Sequence, residues 1–490
     1  MAHVCYDSKH CSAESLFVAV RGLKFDGHNY IPEAIASGAR FIVHESDYSP
    51  PPGVTAIRVK DSRRALGILG KNFYQHPSSR LCLVGIVGTN GKTTITYLLE
   101  SIFKAAGFRT GVLGTVNYRF NAVVKLAPNT TPESFEMQKI LREMEQDGVT
   151  HVISEVSSHS LDLRRVDDCD FDIGVFTNFS QDHLDYHLTM ENYFQAKERF
   201  FTEVLQRSSK KRRYRMIVNA DDPWGKRLVR DANIAPLTFG INEPCDVRAE
   251  AFKLSIGGIH ARINVRGTSL DVTSSLIGNF NLSNIVASVA AAASLDISDD
   301  HILSGIANLK NVPGRLENVN GAHGVKVFVD YAHTEDALRR VLESLSAFKE
   351  KRLITVFGCG GDRDRGKRPL MGAAATHFSD LAIVTSDNPR TEDPLAIIGE
   401  IEAGIRSDSV RKLESDHITL PFGQKAYLIV PDRKTAIETA IAFAQAGDIV
   451  LIAGKGHEDY QIIGNRKIFF DDRLVAAEAL KSVLTRRNFG

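Results

Sequence analysis

Apolar residues fall along this chain in short uninterrupted runs and in helical stripes, by turns, which is the pattern of parallel strands covered on both faces. In a first stretch, residues 1–80, the runs at 16–20 and 40–44 predict buried strands, with a helix over 31–37 stopped by Gly38. Pro50, Pro51 and Pro52 make a turn rather than a linker. A second stretch, 81–312, opens with the apolar run 81–87, which passes straight into a Gly-rich loop and then an amphipathic helix. It goes on through helix and strand to a further run at 170–176. Alternating runs around 243–277 predict an antiparallel insert, and the Ala-rich segment 284–295 a buried helix. The segment 311–315 reads as a hinge into a third stretch, 313–490, where strands at 326–330, 353–358, 381–385 and 449–453 alternate with helices. The fold class is therefore α/β in three domains, the central one a P-loop-type parallel sheet carrying an antiparallel insert.

Composition narrows the function more than the fold. At 490 residues the chain is too long for one core, and at about 150 residues each roughly three domains are expected. Hydrophobic residues make 43% and charged residues 24%, the balance of an ordinary soluble protein. A formal net charge of +1 gives no reason to expect nucleic acid or an anionic membrane as partner. The short basic run Lys210, Lys211, Arg212, Arg213 reads as a solvated loop. No apolar stretch reaches the ~20 residues of a spanning helix, and the first residues lack a signal-peptide core. Cysteines at 5, 11, 82, 169, 245 and 359 form no C-x-x-C pair, so thiols in a reducing cytoplasm are expected, rather than disulfides or zinc.

The Gly-rich loop carries the strongest chemical signal. Gly88, Thr89, Asn90, Gly91, Lys92, Thr93 and Thr94 lie between an apolar strand and a helix, where glycines let backbone N–H groups converge on phosphates. Lys92 would neutralise β/γ-phosphate charge and Thr93 would offer a hydroxyl to Mg²⁺. Ile86 stands where the strict Walker pattern has its first glycine, and no N-K-x-D signature follows, which argues against a switch GTPase. Glu155, at a strand end, is placed to complete Mg²⁺ coordination. Its neighbours Ser157, Ser158 and His159 are too polar for a plain core. Asp182, His183, Asp185 and His187 form a second polar cluster, either metal ligands or a hydrogen-bonded loop.

Taken in order, the phosphate loop, Glu155-Val-Ser-Ser-His159, Asp182-His-Leu-Asp185, Asp330-Tyr-Ala-His333 and Asp387-Asn-Pro-Arg390 resemble the Mur ligases of peptidoglycan synthesis over essentially the whole chain. Within that family the set is similar to the ligase adding the third residue of the stem peptide. The resemblance implies a first domain (1–80) for the UDP end of the substrate, a central ATPase domain (81–312), and a C-terminal Rossmann-like domain (313–490) receiving the amino acid. It implies ATP as co-substrate and two Mg²⁺ sites at Thr93, Glu155, His183 and Lys197. It also implies a carbamate on Lys197, which would otherwise read as an ordinary helix-surface lysine. Lys92, Lys197 and His183 would be catalytic, and Asn281, Arg315 and Asp330 would be further ATP contacts. Ser8, Asn129, Thr130, Thr131, Ser157 and Arg165 match contacts to the UDP-muramoyl dipeptide. Leu163 stands where some relatives have glutamine, so one polar contact is expected to be missing. Relatives carry a short segment ahead of Tyr6-Asp-Ser-Lys9, so the uridine pocket is expected to be less complete. A monomer is expected.

The chemistry fits. A carboxylate is a poor electrophile at neutral pH, and transfer of the γ-phosphoryl group makes an acyl phosphate that an amine can attack. Such a site needs charge around a phosphoryl group in flight more than a covalent nucleophile. As to the amine, Asp387, Asn388, Pro389 and Arg390 follow a strand at the end of a sheet where open α/β folds bind ligands, although Asp-Asn-Pro alone reads as a turn. Arg390 and Arg363 offer two guanidinium forks to a second carboxylate, which meso-diaminopimelate has and lysine lacks. The lysine-adding relatives lack the arginine of this motif. Glu458 would hold the distal ammonium and Gly454 would line the pocket, while Asp364, Arg365, Lys367 and Arg368 are expected to be surface charges and loop anchors. The rival readings are a lysine-adding ligase, a folylpolyglutamate-synthetase-like ligase, which leaves the first domain and Asp387–Arg390 unexplained, and a regulatory ATP-binding protein without turnover.

Overall fold

The uninterrupted apolar run ahead of the phosphate loop is a strand because it is buried on both faces. In a computed structural model, which describes residues 3–22, 25–210, 215–231, 233, 235–319, 324–405, 409–414 and 424–488, Cys82–Val87 lies in the middle of an 11-stranded sheet. Val84 and Ile86 face the helices Lys92–Ala105 and Asn279–Ser294 through Ile95, Leu98, Ile102 and Val289. Leu83 and Val87 face Met137, Leu141 and Phe200 on the other side. Burying each such side chain contributes roughly 1.5–3 kcal/mol, so the strand has no polar face to lose.

Seven strands of this sheet run parallel, from Val247–Ser255 through Cys82–Val87 to Thr110–Leu113, and each end is extended by an antiparallel pair. The expected antiparallel insert around 243–277 is present, and it joins the central sheet. Val247 pairs in parallel with Phe239, so Val247–Ser255, Gly258–Val265 and Thr268–Ser274 continue the central sheet. The hairpin of Asn117–Phe120 and Val123–Leu126 at the other edge has its turn at Asn121, with φ +47°. On either side, the described residues form a four-stranded parallel sheet, His3–Cys5 to Thr55–Arg58, and a seven-stranded sheet, parallel but for Glu317–Val319.

Two features position the site. Gly85 and Gly174 lie opposite each other on adjacent strands, and a Cβ on either would come within 2.5 Å of the Phe200 ring. The glycine pair thus leaves a slot for Phe200, which pins the end of the helix Met190–Arg199, the one that carries Lys197. Asp167, with its side chain wholly buried, gathers Arg199, Arg164 at 3.2 Å and Arg64 at 3.8 Å. It thereby ties that helix to Ser62–Phe73 of the first unit.

Two sequence expectations fail here. Cys5 and Cys11, expected as thiols, are joined in a disulfide, because the turn at Ser8–His10 folds the chain back until their Cα atoms are 5.9 Å apart. Cys82, Cys169, Cys245 and Cys359 form no disulfide. Lys210, expected in a solvated loop, is only 14% exposed and pairs with Asp172 at 2.6 Å. Its buried partner on the strand edge draws it in. Residues 211–213 of that run lie outside the described residues. No helix among the described residues is long and apolar enough to cross a membrane.

Candidate active site

The phosphate loop takes its shape from backbone angles that side chains resist. Gly88 has φ +152° and Gly91 φ +89°, and a Cβ on Gly91 would stand 2.3 Å from Asn284 Oδ1. The neighbouring strand Ile173–Phe176 delivers Thr177 and Asn178 alongside. Asn178 O accepts from Thr89 N, Asn178 Oδ1 accepts from Asn90 N, and Thr177 Oγ1 donates to Asn90 O. Thus braced, the loop opens onto the N-terminus of the 14-residue helix Lys92–Ala105, whose unpaired N–H groups favour an anion. Thr177 and Asn178 were missed in the sequence. The signal was there, since in a parallel sheet adjacent strands end on the same side.

Two lysines meet on this loop. Lys92 Nζ donates to Gly88 O at 2.8 Å and Thr89 O at 2.7 Å, and Lys197 Nζ donates to the same Gly88 O at 2.9 Å. Lys197 is no surface lysine: it is 2% exposed and lies 4.5 Å over the Tyr193 ring. Burial pushes its pKa well below the ordinary lysine value, and the charge of Lys92 pushes the same way. Burial lowers Lys92 too, against the pull of Glu155 and Asp182.

Glu155 is the last residue of the strand His151–Glu155 and is buried. Its Oε1 accepts from Thr93 Oγ1 and from Thr115 N, each at 3.0 Å, and its Oε2 from Thr115 Oγ1 at 2.9 Å. Arg315, far along the chain, donates to Thr93 Oγ1 at 3.1 Å. His183 sits at φ +54°, with Asp182 3.3 Å away and the rings of His159 and Tyr193 4.9 and 5.8 Å away. Desolvation lowers the pKa of His159 and drives that of His187 down to about 4, so both rings are neutral near pH 7. No group of three or more His, Cys, Asp or Glu among the described residues could cage a metal unaided. Paired hydroxyl and carboxylate oxygens beside a phosphate loop do suit Mg²⁺, which takes one or two protein oxygens and completes its shell with phosphate and water.

Across from the loop stands the seven-stranded sheet. A cavity of about 130 Å³ between the units is lined by Gly91, Asn178, Phe280, Asn284, Arg315 and Asp330, among others. Asp330 holds its own loop, accepting from Leu316 N and Ala332 N, while burial raises its pKa against the pull of Arg315. Arg315 lies 4.6 Å over the Tyr331 ring. Asn281 is buried and stands behind Asn284, accepting from its Nδ2 at 3.1 Å, and it is Asn284 that lines the cavity. Asn90 Nδ2 reaches across to Asp336 Oδ2 at 3.2 Å, a crossing with no signal in the sequence.

The residues expected to contact the dipeptide cluster beside Glu155, with one exception. Thr131 Oγ1 donates to Glu155 O and accepts from Ser157 N, Arg165 Nη1 donates to Thr131 O, and Thr130 Oγ1 lies 3.1 Å from Thr115 Oγ1. Asn129 O accepts from Tyr118. Ser8 stands apart in the first unit, bonded to Glu33.

At the carboxyl end of the seven-stranded sheet, Asn388 Nδ2 donates to Glu458 Oε2 at 2.9 Å, and Gly454 (φ +116°) leaves room where a Cβ would come within 2.5 Å of Asp387 Oδ2. Pro389 O accepts from Glu392 N, closing the turn. Arg390 is held at φ +51° by bonds from its N to Ile462 O and from Gly464 N to its O, and its Nη1 donates to Gly361 O. Arg390 Nη1 and Arg363 Cγ both flank Gly360, where a Cβ would stand 2.9 and 3.9 Å from them, but Arg363 turns its guanidinium to the surface, donating to Asp362 O. Arg368, expected among surface charges and anchors, is wholly buried. Its cation is matched by Glu392 and Glu400, so it anchors the loop from inside.

Three family models match the chain: Mur ligase family, catalytic domain, over residues 1–74; Mur ligase middle domain over 86–292; and Mur ligase, glutamate ligase domain, over 314–456. The chain is 48% identical over 480 residues to the UDP-N-acetylmuramoyl-L-alanyl-D-glutamate–2,6-diaminopimelate ligase of Geobacter metallireducens, covering 98% of this chain and 94% of that one. A solved structure of a ligase of that name superposes with a TM-score of 0.68 at 32% identity, covering 98% and 94% of the two chains. MurF ligase from Thermotoga maritima, solved in complex with ADP, shares the fold with a TM-score of 0.65 at 20% identity, covering 99% and 98%.

Proposed function

The chain belongs to the Mur ligase family, and from that premise we propose that it joins meso-diaminopimelate to the D-glutamate carboxylate of UDP-N-acetylmuramoyl-L-alanyl-D-glutamate, converting ATP to ADP and phosphate. The observation that carries the reading is the meeting of four groups from distant parts of the chain. Lys92 and Lys197 share Gly88 O, and Glu155 and Arg315 share Thr93 Oγ1. That is charge arranged around a phosphoryl group, with an arginine that arrives from the third unit.

On this reading the D-glutamate carboxylate attacks the γ-phosphorus and ADP departs. The amine of the incoming amino acid then attacks the acyl carbon, and phosphate leaves with the bonding pair. Lys92 holds charge on the phosphates as they separate, and Arg315 closes over the loop from the opposite side. Thr131, Ser157 and Arg165 orient the dipeptide carboxylate beside Glu155, while Ser8 and the four-stranded sheet receive the uridine-diphosphate end. Oxygens of Thr93 and Glu155, with His183, would hold Mg²⁺, which screens the phosphate charge when bound. Lys197 suits reaction with carbon dioxide, because burial favours its neutral, nucleophilic amine. The carbamate anion so formed would set a negative charge beside the Lys92 ammonium, which shares the Gly88 carbonyl with Lys197.

Arg390 and Glu458 suit an amino acid with a zwitterionic distal end, which favours diaminopimelate over lysine. The test is ADP release from ATP with the UDP-dipeptide and each amine in turn. Release is expected only when dipeptide and diaminopimelate are both present. Strong activity with L-lysine and none with diaminopimelate would overturn the substrate assignment, and ADP release needing neither would overturn the ligase.

A further inference from the structure

On that reading, the pocket for the amine's distal end contains a cation with no part in the chemistry described so far. Lys455 has no exposed surface. Its ammonium lies 3.1 Å from Glu458 Oε2 and 3.3 Å from Asn388 Oδ1, and 5.3 Å from the centre of the Tyr460 ring. Asn388 completes the triangle, donating Nδ2 to the same Glu458 Oε2 and accepting from Ile462 N. The carboxylate offered to an incoming ammonium is therefore already matched by a charge of this chain.

The neighbouring charges sharpen the point. Arg433 and Asp472 are both buried and pair with each other at 2.7 and 2.8 Å, and Arg433 Nη1 also lies 3.9 Å from Asp387 Oδ2, so these three charges are taken up among themselves. That leaves Glu458 facing Lys455, with Arg390, whose Nη1 lies 3.5 Å from Asn388 O, and Arg363 beyond it. An amino acid ending in a bare ammonium would bring a further cation to a carboxylate that already holds one. An amino acid ending in both ammonium and carboxylate brings no net charge, and its carboxylate meets Arg390.

We propose that Lys455 determines specificity: by matching Glu458 and fixing Asn388, it makes the pocket reject a distal end that is a bare cation and accept one that is zwitterionic. Rejection here is an unfavourable element built against the wrong substrate, beside the favourable one that Arg390 supplies to the right one. The inference rests on the amino-acid pocket proposed above.

The experiment compares kcat/KM for meso-diaminopimelate and L-lysine in the full-length enzyme, at saturating ATP and UDP-dipeptide. Lys455→Met frees Glu458 for the ammonium of lysine, and the preference for diaminopimelate is expected to fall by at least about tenfold. Glu458→Gln leaves Lys455 unmatched, and the preference is expected to move the other way. A merely structural role would lower both amines by one factor and leave the ratio unmoved, which would overturn the proposal. Should Lys455→Met fail to give a cooperative melt, Glu458→Gln decides alone, and an unchanged ratio there also overturns it. A wild-type enzyme using neither amine would overturn the proposed function and this inference with it. A wild-type enzyme taking diaminopimelate, with unmoved variants, would overturn this inference alone.

Discussion

Arg390 does two things at once, and replacing it with alanine and with glycine separates them. Its guanidinium is the fork offered to the distal carboxylate, and its backbone stands at φ +51°, where side chains with a Cβ are strained. A charge-assisted hydrogen bond contributes roughly 1.5–3 kcal/mol, so either variant is expected to lose about 10- to 150-fold in kcat/KM for diaminopimelate, mostly through KM. Both also lose the bond to Gly361 O, worth about 1 kcal/mol. Glycine recovers about 1 kcal/mol relative to alanine by relaxing the left-handed backbone, while the two backbone bonds to Ile462 and Gly464 survive. Arg390→Gly is therefore expected to melt near the wild type and Arg390→Ala roughly 2–4 °C lower. The assays are ADP release against diaminopimelate concentration and thermal unfolding of all three proteins. Wild-type kcat/KM in the glycine variant would refute the pocket, and an equal rise in KM for ATP would show that the loss is not local.

Lys92→Ala is expected to reduce turnover at least about a thousandfold with an unchanged melting temperature, since its Nζ bonds only to loop carbonyls; activity within tenfold of wild type would count against its role. Gly91→Ala forces a Cβ at φ +89° to within 2.3 Å of Asn284 Oδ1, so KM for ATP is expected to rise about tenfold or more while KM for diaminopimelate holds. Asp167→Asn removes the buried anion that Arg199 and the more exposed Arg164 share and is expected to cost about 1–3 kcal/mol in thermal or urea unfolding; an unchanged transition would count against the tie. His457 is pushed down to about 3 by burial from an ordinary 6.5, so between those pH values the unfolded chain binds the extra proton and folding weakens as pH falls. His457→Phe removes that contribution, so its melting temperature is expected to gain on the wild type between pH 7.5 and 5; a constant gap would refute the assignment.

The parallel sheets were legible because two-sided burial writes itself as unbroken apolar runs, and the strand bounds at Lys326–Asp330 and Ile449–Ala453 agree with expectation. The phosphate loop was legible for the same reason, since its neighbours are strand and helix. What the sequence hid depends on pairings between distant residues. Nothing in the run 247–274 says that Val247 will lie in parallel beside Phe239 rather than form its own module. Nothing around Cys5 and Cys11 says that the turn brings them together. Lys197 looks like a surface lysine because its helix is polar on average. It is buried by Tyr193 and the loop carbonyl of Gly88, which only folding brings to it. Asn284 and Lys455 were hidden by their neighbours, the motif residues Asn281 and Glu458, which drew the attention.

The bonds from Arg315 to Thr93 and from Asn90 to Asp336 make the nucleotide site a joint possession of two units. Thermodynamic linkage then runs both ways: whatever favours the closed arrangement from the amine's side of the seven-stranded sheet tightens ATP by some factor, and ATP tightens that ligand by the same factor. An enzyme so wired behaves as a coincidence detector, holding each substrate most firmly when the other is present.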